Sequence, residues 1–418
     1  MADLPQPGMP FGFGQFDFSE VLRLLKSEGP INFEVARQVS TWVALEGEDE
    51  PAVDAAHAEL LGELTRTSLM HVSALTNLGA GLEVHPRTVG RGVFAHETLD
   101  ALAPVLTALA ERVTVVTADT DGALPDGAFP DGMPEGLLDD LPEGFPEELA
   151  AGLAGAGLGD LSNLLTAMAP LLLGVQAGFM VGHLASLSLG RHEMPLPLAT
   201  APTVMFVGAN LASFEADWEL PHDELSFYVA LHEVVYAAML SVPWLHERVV
   251  ALARDYVSAF EVDSRLVEEH FAGLDPADPE SFQRAFGDPT ELLGAMRTPA
   301  QDWIRERITL VTSVLEGYAD YVLGEIGPPL IPSFDRIREA SHRHRVERGE
   351  AAKFLETLLG FGSERAHLEQ GAAFCHGVVE RAGPDGLARL FEDEAHLPTA
   401  AEITAPGLWL ERIDLPRE

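Results

Sequence analysis

Cysteine is almost missing from this 418-residue chain. Cys375 is the only one, so no intrachain disulfide can form, and a reducing, cytoplasmic setting is expected. No recognisable Cys-centred motif surrounds it, which favours a buried thiol over a nucleophile. Positive charge is scarce as well. Lys and Arg together number 26 against 66 Asp and Glu, a formal net charge of -40, and Lys26 and Lys353 are the two lysines. Such a chain has no basic surface to displace counterions from phosphates, which excludes nucleic acid as a partner. It is equally unsuited to an anionic membrane surface. The first residues, MADLPQPGMPFGFGQFDF, lack the basic and apolar regions of a signal peptide. There is no G-x-S-x-G elbow, no P-loop and no dinucleotide fingerprint.

Long apolar runs are also few. Leu164 to Gly182 is the stretch to test as a membrane span, but it contains Pro170 and Gln176, lacks Lys or Arg anchors and leads straight into His183. It reads as a buried core helix, with Gly174, Gly178 and Gly182 spaced to let another backbone approach. Apolar residues make up 47% of the chain, enough for a substantial core.

Four regions follow from composition and periodicity: a tail over 1–18, a helical region over 19–118, an acidic Pro/Gly-rich linker or insertion over 119–160, and a helical domain over 161–418. Helices are expected at Asn32–Leu45, Ala52–Leu75, His222–Val242, about Ala300–Ile326 and, after 334, in two further stretches. A short strand is expected at the start of TVMFVGANLASF, residues 203–214. The fold class is mainly α, with at most a small β-sheet. The run SHRHRVER at 341–348 reads either as an anion site or as a solvated helix face that offsets local acidity.

The chemistry concentrates in LSFYVALHEVVYAAMLSVPW. Nearly every residue from Leu225 to Val242 is apolar or aromatic, so the helix is buried on most sides, yet His232 and Glu233 sit at its middle. A carboxylate there is costly unless a metal, a cation or hydrogen bonds receive it. His-Glu opens the zinc pattern H-E-x-x-H, in which two His at i and i+4 share one helix face and the Glu activates a metal-bound water. Position i+4 here is Tyr236. A later helix, LVTSVLEGYADYVLGEIG, carries Glu316 and Asp320 one turn apart on one face. That is the spacing of a third zinc ligand, Glu316, and an acid that orients the first His, Asp320. Two exposed acids on an amphipathic helix would look the same.

GHLASLSLGRHEMPLPL, the Trp218 to Leu220 segment, LHEVVYAAMLSVPWL, LEGYADYVLGEIGP and LPTAAEITAPGLWLER together resemble the zincin-like metallopeptidase type 2 family. These are actinobacterial-type proteins designated hydrolases or zinc-dependent metalloproteases. The similarity spans roughly 160–415, and the PFGFG start is also typical. The resemblance implies a zincin-like helical core, zinc as cofactor and a peptide or protein substrate. It assigns His232 as first metal ligand, Glu233 as general base, Glu316 as third ligand and Asp320 as the acid behind His232. The family's usual motifs are H-E-x-x-H and E-G-H-A-D, and this chain departs from both, with Tyr236 and Tyr318 in place of His. Another His could substitute, and His183 and His222 are the candidates by proximity to the quoted motifs alone. The departures leave two readings: a zinc-dependent hydrolase, or a binding or scaffolding protein that kept the fold and lost the metal. In the second, Glu233 needs a buried partner, with the Tyr236 or Tyr318 hydroxyl or His232 as candidates.

Overall fold

A computed structural model of the chain describes residues 29–119, 158–193, 203–260, 298–346, 360 and 365–415. The expected tail at 1–18 and nearly all of the 119–160 segment lie outside the described residues. Helices dominate the remainder, in the order α1 (Phe33–Leu45), α2 (Ala55–Thr76), β1 (Arg87–Val89), α3 (Arg91–Asp119), α4 (Leu158–Leu187), β2 (Met205–Val207), α5 (Gly208–Trp218), α6 (His222–Leu240), α7 (Pro243–Ser258), α8 (Pro299–Leu330), α9 (Phe334–Val346), α10 (Arg365–Ala388) and α11 (Pro406–Asp414).

Local chemistry explains where several of these begin. Asn32 caps α1 by accepting the Val35 N–H at 3.1 Å. Thr298 opens α8 with a capping box: its hydroxyl accepts the Gln301 N–H at 3.2 Å while Gln301 Oε1 accepts the Thr298 N–H at 3.0 Å. The sequence places the end of α8 at Gly327-Pro328-Pro329, but the helix continues to Leu330. A proline in the last turn forfeits only its own N–H, and the Ile331 N–H still reaches the Gly327 carbonyl at 2.8 Å.

The expected small sheet is a two-stranded parallel pair, Arg87 opposite Met205 and Val89 opposite Val207. Gly190 bridges Phe206 on the other side of β2, and the Val207 N–H donates to the Leu189 carbonyl at 2.9 Å. β2 therefore holds the segment after α4 in place. The β1 half of this pair carries no alternating apolar pattern and was not foreseen.

Helices α1, α3 and α4 pack together, α2 lies on α6, and α8 packs on α10, α7 and α6. One continuous core runs from Ile31 to Trp409. The glycine stripe of α4 does what its spacing implies. A Cβ at Gly178 would sit 2.7 Å from the Ala36 carbonyl oxygen, and one at Gly182 would sit 2.6 Å from Val43 Cβ, so only a side chain of hydrogen lets α1 lie this close. Among the described residues one helical stretch, Arg91–Glu111, passes as a membrane span by length and composition, and 44% of its most apolar window is buried. The bent pair α6–α7, turned through 91°, passes the same test if counted as one span.

Two basic side chains of α9 reach the ends of other helices. Arg336 Nη2 donates to the Trp218 and Glu219 carbonyls at 2.8 and 2.9 Å, closing α5, and His344 Nε2 lies 2.9 Å from the Leu187 carbonyl, closing α4. Arg343 pairs with Glu339 at 2.7 Å. Cys375 is fully buried, and burial followed by the nearby Asp320 pushes its thiol pKa well up.

Candidate functional site

Helix α6 is buried along almost its whole length, and Glu233 at its middle has no exposed surface. Its carboxylate is received by the turn that follows α4. Glu233 Oε1 accepts the His192 backbone N–H at 2.8 Å, and Oε2 accepts the Arg191 backbone N–H at 3.1 Å. The His192 ring adds a third contact, Nδ1 to Oε2 at 2.9 Å, with the ring itself buried. Gly190 makes this approach possible, since a Cβ there would stand 2.5 Å from Glu233 Oε1. The Arg191 guanidinium is nearly buried and lies 3.6 Å from Glu97. Burial lowers its pKa, with Glu97 and Glu233 opposing that shift. A buried negative charge is thus met by three N–H donors and a neighbouring cation, which is what its desolvation requires.

This corrects the partner expected for Glu233. His232 Nδ1 is 4.0 Å from Oε1, too far for a hydrogen bond, and His192 with the 191–192 backbone takes the place proposed for the tyrosines. His192 lies in the GRHEMP segment quoted from the sequence, but nothing there says that it meets a residue on α6. The only available signal was the need of a buried carboxylate for donors.

Tyr236 is fully buried between two imidazoles. Its ring lies 4.9 Å from that of His232 and is stacked at 6.1 Å and 11° on that of His192. Of the histidines proposed as replacements, His183 is exposed on α4. His222 starts α6, ten residues before His232 and roughly 15 Å along the helix axis. His192, not either of these, stands beside the motif.

Glu316 and Asp320 lie half-buried on α8. Asp320 is 4.0 Å from the Arg338 guanidinium of α9. Tyr318 is buried, edge-on to Phe391 at 4.7 Å. Burial, opposed by the neighbouring Thr76 of α2, pushes its pKa well above the ordinary phenol range. Among the described residues no three His, Cys, Asp or Glu side chains gather in a group able to hold a metal ion.

What the arrangement does chemically is hold a carboxylate inside the protein and lock a turn to it. Comparison with known proteins sets this in context. A crystal structure from Chloroflexus aurantiacus, of a protein provisionally designated a hydrolase and noted for a novel fold, matches at 20% identity. The TM-score is 0.58, with 93% of this chain and 100% of that one covered, so the fold is shared. No curated protein matches the chain. The family model of the zincin-like metallopeptidases matches residues 31–410, nearly the whole sequence. The chain belongs to the zincin-like metallopeptidase family.

Proposed function

We propose that this chain is a zincin-like metallopeptidase-family protein whose metal site is incomplete, and that it works as a binding or scaffolding protein on the retained fold. Zinc is the cofactor the family implies, and the residues present do not fit it. Tyr236 holds the position of the second His, and a neutral phenol is a poor ligand below its pKa near 10. The observation that carries the reading is Glu233. Both of its oxygens are taken by donors of the 191–192 segment, so the carboxylate in the general-base position is committed to holding a turn.

The alternative is a zinc-dependent hydrolase acting on peptides, with His232 and Glu316 as ligands and Glu233 as base. It is favoured by the second imidazole, His192, brought beside Tyr236. It would require Glu233 to leave its three donors. For the binding reading, a shallow groove of about 450 Å³ beside α1 and α3 offers a surface, with Trp42 and Leu45 set among Glu34, Glu48, Arg37 and His96. A peptide or protein partner is what the family resemblance implies, and a cytoplasmic location is what the single cysteine implies.

Elemental analysis of purified protein, beside Tyr236→His and His232→Ala variants, tests the proposal. The expected result is no zinc that depends on His232 in the unmodified protein, and no peptide hydrolysis by either the parent or Tyr236→His. One zinc per chain, lost in His232→Ala, would overturn it.

A further inference from the structure

The groove beside α1 and α3 lies where the helical bundle leaves aromatic side chains in contact with solvent. Trp42 of α1 is half-buried, and Phe179 of α4 meets its ring edge-on, with centroids 6.5 Å apart and planes at 89°. Phe179 itself is 40% exposed. Leu45 continues the apolar wall one turn beyond Trp42, and His96 of α3 lies 2.9 Å from Thr41 Oγ1, so α1 and α3 share the floor. Apolar groups left exposed together and rimmed by polar ones mark a contact surface. The volume of about 450 Å³ is that of a ligand cleft.

The chain carries an apolar segment of its own within reach of this surface. Residues 1–28 precede the described part, and the chain enters the fold at Gly29, three residues before the Asn32 cap of α1. Among them FGFGQFDF, residues 11–18, holds four phenylalanines and a single charge, Asp17. Eleven residues separate Phe18 from Gly29, a reach of about 36 Å when extended. Helix α1 has 13 residues and is about 20 Å long, so the phenylalanines can reach any point along it, Trp42 included. A tether this short gives an effective concentration in the millimolar range, at which even a weak contact is populated. Other occupants fit less well. A second copy would bring a further net charge of -40 against the first. A strongly charged peptide of either sign would meet like charge at the rim, where Glu34 and Glu48 stand beside Arg37 and His96. A nearly neutral aromatic segment meets neither penalty.

We propose that the phenylalanine segment 11–18 docks in the groove lined by Trp42 and Leu45, as an internal occupant that a binding partner has to displace. Gly12 and Gly14, which have no Cβ, let this backbone lie against α1 while the rings beside them enter the groove. The displacement by a partner rests on the binding reading given above. The docking does not, and would hold equally in a zinc hydrolase.

The test is photocrosslinking of full-length protein that carries a benzophenone analogue of phenylalanine at position 13, followed by peptide mapping. The expected product is a crosslink within one chain, from position 13 to residues 34–48 or to His96. Trp42→Ala should cut its yield at least fivefold with unchanged circular dichroism. Phe179→Ser, at an exposed position, is the second variant and should cut it at least twofold. Crosslinks between two chains, crosslinks to another part of the fold, or a groove product indifferent to both variants would each overturn the docking. Zinc content of the same sample bears on the metal site alone, so the two conclusions fail separately.

Discussion

At the scale of single residues, Glu233 decides how the motif is understood. Its position within H-E-x-x-H marks it as a base, and its surroundings make it a bracket. Replacing it with Gln keeps the size but removes the charge, and sets an amide that can present N–H toward the donors of Arg191 and His192. Leaving such buried groups mismatched costs about 1–3 kcal/mol. Glu233→Gln should therefore lower the unfolding free energy by that amount, read as a lower urea midpoint. A variant as stable as the parent would show that the bracket contributes nothing. The His-Glu pair inside an apolar helix was legible because ionisable groups in such a run break the pattern visibly. His192 was not legible, because its meeting with α6 depends on a turn anchored to β2, and pairing between distant segments leaves no periodic trace.

At the scale of elements, periodicity located most helices within a few residues. The starts were set by side-chain caps such as Asn32, or by charge, as with Asp223 and Glu224 in the first turn of α6. The ends proved harder: proline reads as a stop, but Pro328 and Pro329 are accommodated in the final turn of α8. The glycines of α4 were legible as a contact surface, though not as a surface for α1 in particular. The same substitution should have opposite effects at two helical glycines. Gly178→Ala places a methyl 2.7 Å from the Ala36 oxygen and Val39 Cβ and should destabilise by about 1–3 kcal/mol, as overpacking does. Gly324→Ala meets nothing within 4 Å and should stabilise α8 by about 0.5–1 kcal/mol. Thermal denaturation of the two variants side by side would check this, and equal shifts of one sign would refute the close α1–α4 approach.

At the scale of the whole molecule, a large acidic helical protein with one buried thiol and a buried phenol should be sensitive to alkali. Burial raises the pKa of both Tyr318 and Cys375 in the fold. The folded state then holds these protons more tightly than the unfolded chain does. Their contribution is intact below the unfolded values, about 8.5 for Cys and about 10 for Tyr, and is lost as pH rises past them. These two groups add no pH dependence below about pH 8, and stability should decline above it. The phenolate absorbance of Tyr318, taken as the difference between parent and Tyr318→Phe, should appear together with loss of circular dichroism. A phenolate formed in the intact fold would contradict its burial.

The parallel pairing of β1 with β2 has a consequence for how the chain comes to be folded. Arg87 must wait for Met205, and the turn at Gly190 must wait for Glu233. A nascent chain that has emerged only through α4 carries neither the strand nor the carboxylate that fixes its last turn. Such long-separation contacts are slow to form because loop closure comes before any reward. The apolar face of α2, which lies on α6, therefore waits longest for its partner and is in need of protection from aggregation during synthesis on the ribosome.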